Sequence, residues 1–408
     1  MIALRYAVSA LALSLSLTAA AAFGIIGATS AAHAVGPYPA GAVPLGTEPI
    51  GGAQLKDPGV IVNLQTGVPA PPTMPGASFL VADMDTGQIL AAKAPHTPRL
   101  PASTLKTLTA LTLIPRLDVG AKIMVEPEDV RIEGSRVGIL AGTAYSVPTL
   151  FQGLLLASGN DAANTLARAN QSVAVTLGEM NATAADLGAF DTVAKDPSGL
   201  DSPGQSSSAY DLALIGRAAM LLPDFRGYVS TRTASVPGGR SGDGKTVPGF
   251  KINNHNRLLY NYKGAIGIKN GYTIAAKQTF IAAATRAGKT YIVTEMASAD
   301  GSWRPTAALL DWAFAHGTAV TPIGELVEPR TVTSPVLTSA PGDGSSEGAP
   351  RASPSAHALD WPYVDWQPAL PPQSGRADSH SRMALAPHAP DPLPPRRRTP
   401  SATRRVLP

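Results

Sequence analysis

Apolar positions along the chain change period from segment to segment. Residues 77–83 (ASFLVAD) and 88–94 (QILAAKA) are short apolar runs separated by Asp85-Thr86-Gly87. They predict two strands joined by a turn. Pro101 then opens PASTLKTLTAL, a run of leucine and alanine that predicts a helix, because proline is tolerated in a first helical turn. Residues 122–144 carry β-like runs broken by Gly134, Gly138 and Gly142. A helix over 147–156 is entered through Pro148 and stops at Ser158-Gly159-Asn160. Further helices are predicted over 161–171, 173–187 and 208–222, the last ending at Pro223, with a turn-rich loop at 196–201. Three strands follow at 265–272, 279–286 and 290–296, then an amphipathic helix over 305–314 bearing Leu309, Leu310, Trp312 and Phe314. Strands at both ends with helices between predict an α/β fold of the α+β type, one antiparallel sheet flanked by helices plus a helical lobe.

The ends differ from this middle. Arg5 precedes an uncharged run from Tyr6 to Ala32 that closes in Ala32-His33-Ala34. That pattern predicts a secretory signal peptide over 1–34, cut near Ala34. The run is long enough to serve as an uncleaved anchor, but its many Ala, Ser and Gly residues favour cleavage. No later stretch reaches the roughly 18 apolar residues of a spanning helix, so the mature chain is expected to carry none. Residues 35–72, rich in Pro, Gly and Ala, predict a linker. Residues 319–408, rich in Pro, Ser and Arg, predict a disordered tail. The folded domain is expected over 73–318.

The 408 residues suffice for a large core, and the net charge of +4 is dispersed, unlike the striped charge of a nucleic-acid binder. The absence of cysteine excludes disulfides, thiol catalysis and thiolate metal sites. Seven scattered histidines without HExxH spacing argue against a zinc hydrolase, and no metal or cofactor is expected.

The candidate chemistry lies in three places. Ser103 and Lys106, three apart on a helix, face the same way. A serine needs a neighbouring base to act as a nucleophile, and a lysine becomes one only when burial or a second cation lowers its pKa. Ser158-Gly159-Asn160 supplies a hydroxyl that relays a proton and an amide that donates and accepts; the same residues also suit a capping turn. Lys269-Asn270-Gly271 reads either as a hairpin turn or as part of a strand whose edge pairs with an extended peptide, Gly271 permitting close approach. The continuation into Tyr272, Thr273 and Ile274 favours the strand. His255 is expected to be a loop residue, His96 exposed, Asp196 and Asp201 turn formers.

Together, SxxK, SxN about 50 residues on and KxG on a strand form a known set. With PASTLKTLTAL, SGNDAANTLA, DPSGLD followed by SSAYDLA, NNHNRLL and GIKNGYT, the chain resembles the low-molecular-mass, serine-type D-Ala-D-Ala carboxypeptidases of the penicillin-binding proteins, peptidase family S11. The resemblance implies a β-lactamase/transpeptidase-like catalytic domain and a secreted, cell-envelope enzyme acting on peptidoglycan stem peptides ending in D-Ala-D-Ala, with β-lactams as covalent inhibitors. It implies Ser103 as nucleophile, Lys106 as base, and Ser158 and Asn160 as proton shuttle and amide holder. Lys269 would hold the substrate carboxylate and depress the pKa of Lys106, and the N–H groups of Ser103 and Tyr272 would form the oxyanion hole. Asn270 departs from the family's usual threonine. Two rivals remain: a serine β-lactamase on the same scaffold, which would want an extra carboxylate to activate the deacylating water, although no glutamate sits in an Ω-loop pattern after SGN and Glu179, the only glutamate for over a hundred residues, lies in a helical run; and a silent peptidoglycan-binding or penicillin-binding module.

Overall fold

A computed structural model describes residues 48–329 apart from Asp243. The predicted signal peptide and most of the predicted tail lie outside the described residues. The main sheet contains β1 (Val60–Leu64), β2 (Ser78–Asp83), β3 (Gln88–Lys93), β4 (Ala265–Thr273), β5 (Lys277–Arg286), β6 (Lys289–Ser298) and the short β7 (Val320–Thr321) and β8 (Gly324–Glu325). Its order is β4-β5-β6-β2-β3-β1-β7, with β8 also on β3, and every pairing is antiparallel. Among the described residues β4 is the edge, paired only with β5, in a register that sets Asn270 opposite Phe280 and Tyr272 opposite Gln278.

Helices cover both faces, which is why β2 is buried along its whole length rather than on alternate residues. One face of the sheet, with Leu80, Ile268, Ile281 and Ile292, packs on a helical lobe. That lobe contains α1 (Lys106–Leu113), α2 (Val147–Leu155), α3 (Asn160–Ala169), α4 (Val173–Asp186), α5 (Ala209–Ala219) and α6 (Pro223–Ser230). The alternate residues Phe79, Val81, Phe280 and Val293 face the other way, onto Leu309, Leu310 and Trp312 of α7 (Arg304–His316). The predicted fold class, strands and long helices are all present, to within a few residues at their ends.

Three boundaries are corrected. Residues 60–64, placed by the sequence in the linker, form β1: Ile61 is buried and the strand covers the edge of β3. Further along the same segment, the Trp312 indole donates to the carbonyl of Pro69 at 2.9 Å. At the other end, residues 320–325 belong to the sheet rather than to the tail, because β3 still offers a free edge to β8. α5 stops at Ala219, short of the predicted Leu222, and Pro223 sits in the first turn of α6 instead of ending α5.

Candidate active site

The nucleophile candidate sits where both lobes meet. Residues 102–105 form a 3-10 turn that continues directly into α1, and Lys106 is the first residue of that helix. Ala102 enters the turn with φ +48°, a left-handed conformation that costs an alanine about 1 kcal/mol. Lys106 is fully buried, and its Nζ has three partners: Ser103 Oγ at 3.0 Å, Asn160 Oδ1 at 2.7 Å and the Ser198 carbonyl at 2.7 Å. Burial pushes its pKa well below the usual lysine range, and the charge of Lys269 pushes the same way; Asp196 and Asp161 oppose them. This arrangement fixes what a neutral amine does there. Asn160 Oδ1 and the Ser198 carbonyl only accept, so they take both N–H bonds. The lone pair is left facing the Ser103 hydroxyl, which donates to it.

The acceptors are themselves held. Asn160 donates from Nδ2 to the Glu133 carbonyl at 2.7 Å, which sets the orientation of its amide. Asp161 accepts from the N–H groups of Val137, Gly138 and Ile139 at 2.8–3.3 Å, pinning the loop after Glu133 against the start of α3. Ser158 precedes α3 with φ +59° and is 5 % exposed. Asp196 folds its own loop by accepting from the Ser198 N–H, the Ser198 hydroxyl and the Leu200 N–H. Gly199 lies so close to the nucleophile's turn that a Cβ would stand 2.0 Å from the Ala102 carbonyl oxygen.

The sheet contributes β4. Lys269-Asn270-Gly271 lies within this strand, which runs on through Tyr272 to Thr273, so the hairpin-turn alternative is excluded. A Cβ on Gly271 would sit 2.7 Å from the Ser103 nitrogen and 3.0 Å from that of Thr104, so glycine is what lets the edge strand abut the nucleophile. Lys269 is 1 % exposed; its ammonium donates to the Asn270 carbonyl at 2.7 Å, and burial lowers its pKa to about 7. Thr273 donates to Asp201 at 2.9 Å, tying the 196–201 loop to the strand. Tyr272 is 62 % exposed.

Asn270 points away from Lys269 and lines a cavity of about 410 Å³ at the sheet edge, with His255, Arg257, Gln278, Trp303 and Arg304. None of its lining residues is acidic, and the N-terminal end of α7 adds positive potential. Burial and the charge of Lys269 lower the pKa of His255. Sequence reasoning missed Arg304 and Arg257 as site residues, and gave the DPSGLD loop no chemical role. The loop's contribution is a backbone carbonyl, which no side-chain identity marks.

A family model described as D-alanyl-D-alanine carboxypeptidase matches residues 65–299, more than half of the chain. The D-alanyl-D-alanine carboxypeptidase DacB2 of Mycobacterium tuberculosis is 42 % identical over 251 residues, 60 % of this chain and 84 % of that protein. A crystal structure of a D-alanyl-D-alanine carboxypeptidase from the same organism superimposes with a TM-score of 0.60 at 40 % identity, over 65 % of this chain and all of the other. The DD-transpeptidase of Streptomyces K15 gives 0.57 at 30 % identity, over 60 % and 100 % of the two chains.

Proposed function

This chain belongs to the D-alanyl-D-alanine carboxypeptidase family, and we propose that it is a secreted, cell-envelope enzyme that removes the last D-alanine from peptidoglycan stem peptides through an acyl-enzyme on Ser103. The observation that carries this reading is the buried Lys106 Nζ, held by Asn160 Oδ1 and the Ser198 carbonyl at 3.0 Å from Ser103 Oγ, where a neutral amine would turn its lone pair to the serine. Ser103 Oγ attacks the carbonyl carbon of the penultimate D-alanine while its proton passes to Lys106. The N–H groups of Ser103 and Tyr272 stabilise the oxyanion. The proton travels by way of Ser158 to the departing nitrogen, the C–N bond breaks and free D-alanine leaves. Lys106, neutral again, takes a proton from water as the hydroxide attacks the ester carbonyl; the bond from that carbon to Ser103 Oγ breaks, Lys106 returns the proton to Oγ and the shortened peptide leaves as a carboxylic acid.

The substrate carboxylate is assigned to Asn270 and Arg304 in the acid-free cavity. Lys269, whose ammonium is buried against the Asn270 carbonyl, is assigned the electrostatic depression of Lys106. A β-lactam would acylate the same serine, and its opened ring stays attached where water must enter. The β-lactamase rival needs a carboxylate free to activate that water. Asp161 and Asp196, the carboxylates acting on Lys106, are engaged by backbone N–H groups instead.

The test is a fluorescent-penicillin labelling time course beside D-alanine release from a D-Ala-D-Ala peptide, for the wild type and Ser103→Ala. A lasting label and peptide turnover, both lost in the variant, are expected. Turnover by the variant refutes the nucleophile, and rapid loss of the label points to the β-lactamase.

A further inference from the structure

A second cluster of ionisable groups lies outside this machinery. His96, in the segment leading to Ser103, Asp191, in the loop after α4, and Asp211, in the first turn of α5, each place one ligand atom within 4.8 Å of the others. We propose that these three side chains form a structural site for one divalent cation of the zinc type, which ties the segment entering the nucleophile's turn to the start of α5.

The imidazole is already oriented as a metal ligand would be. His96 Nε2 lies 3.0 Å from the Ile50 carbonyl oxygen, which only accepts, so this nitrogen carries the proton. A histidine ligand normally donates its second N–H to such a carbonyl. The Tyr210 ring packs against the imidazole, tilted by 34° at 4.5 Å between centroids. In the neutral ring, Nδ1 then presents a lone pair to Asp191 Oδ2, 2.9 Å away. Two acceptors facing each other at that distance require a proton between them or a cation that binds both from one side.

Asp211 separates these alternatives. It is 1 % exposed; one oxygen accepts from the Thr192 hydroxyl at 2.7 Å, while Oδ1 has no hydrogen-bond partner among the described residues. A doubly protonated His96 satisfies Asp191 but supplies nothing to that buried oxygen. A cation satisfies all three groups. His96 and Asp191 keep 21 % and 26 % of their side chains exposed, so an ion has an entrance and water can complete its shell. One imidazole with two carboxylates suits zinc and its neighbours better than calcium or magnesium, which prefer all-oxygen shells.

The sequence reading placed His96 on the surface and expected no metal, since these ligands show no local spacing: His96 and Asp191 are 95 residues apart. The neighbouring backbone is already coupled, with Arg99 and Ser207 exchanging hydrogen bonds of 2.7 and 2.9 Å. A cation would brace that junction.

The experiment is calorimetric titration of the chelator-stripped, full-length protein with Zn²⁺ at neutral pH, for the wild type, His96→Gln and Asp191→Asn, with zinc X-ray absorption of the loaded wild type. One equivalent should bind to the wild type, at least tenfold more weakly to either variant, and raise the wild-type Tm by about 5 °C at a hundredfold excess over Kd. The absorption spectrum should show a single imidazole with oxygen donors. No bound equivalent, an equivalent unchanged in both variants, or an all-oxygen shell overturns the site. If the variants fail to fold, the wild-type titration and spectrum decide.

Discussion

Lys269→Met tests the electrostatic design of the site, because stability and activity should move in opposite directions. Burial holds the Lys269 ammonium at a pKa of about 7 against an ordinary 10.5. At about 1.4 kcal/mol per pH unit, that gap is a penalty of about 5 kcal/mol on the folded chain. Below pH 7 both folded and unfolded chains hold the proton, so the folded chain bears the whole penalty. Between pH 7 and 10.5 the folded chain has released a proton that the unfolded chain keeps, and the penalty shrinks with rising pH. Above 10.5 neither is charged and it vanishes.

Methionine keeps the unbranched stem and removes the charge, but leaves the Asn270 carbonyl without its 2.7 Å donor, a loss of about 1–2 kcal/mol. The variant should therefore be more stable by about 3 kcal/mol at pH 6, with the gain fading toward pH 10. Urea melts across that range measure it. In the same variant Lys106 loses the second contributor to its lowered pKa, the Lys269 charge, although burial remains. The acid limb of the acylation rate should move to higher pH. A variant less stable than wild type at pH 6, or an acid limb that does not move, would refute this account of Lys269.

Other substitutions probe the remaining parts. Gly271→Ala should lower the acylation rate about a hundredfold with little change in far-UV circular dichroism, since the new Cβ displaces β4 from the Ser103 turn by a fraction of an ångström; an unimpaired rate would show that the close approach is dispensable. Asp161→Ala should cost about 2–4 kcal/mol in chemical denaturation, as it strips acceptors from the N–H groups of Val137, Gly138 and Ile139. Arg304→Leu should raise KM about tenfold for a D-Ala-D-Ala peptide acid and leave the C-terminal amide unchanged; equal effects on both would remove Arg304 from carboxylate binding.

What the sequence revealed depended on whether a signal was local. Lys269, Asn270 and Gly271 were legible as strand residues because β-compatible side chains continue through Thr273. Ser103 and Lys106 were legible because their contact is a helical neighbour relation. β1 was hidden, its five residues lying between proline-rich and glycine-rich stretches that read as linker. Arg304 was hidden because it reaches the cavity from the start of α7, two strands further along the chain than Asn270, and its arginine carries no mark of that destination. His96 was misjudged: its partners, Asp191 and the Ile50 carbonyl, are brought to it only by tertiary folding.

The 196–201 loop explains how the site is held at the junction between the sheet and the helical lobe. The Ser198 carbonyl takes a proton donor from Lys106, Gly199 lies against the Ala102 carbonyl, and Asp201 accepts from Thr273 on β4. One short segment thus fixes Lys106, the turn that carries Ser103 and the strand along which the proposed substrate would lie. Asp196 organises it through three hydrogen bonds to its own loop, so its geometry does not depend on the substrate. Without the loop, Lys106 would lose the second acceptor that directs its N–H bonds away from Ser103. An amine free to rotate would present its lone pair to the serine only part of the time. In the proposed mechanism, the same residues that read as an ordinary turn would therefore set the direction in which the proton moves, through a backbone carbonyl that substitution at Ser198 alone would not remove.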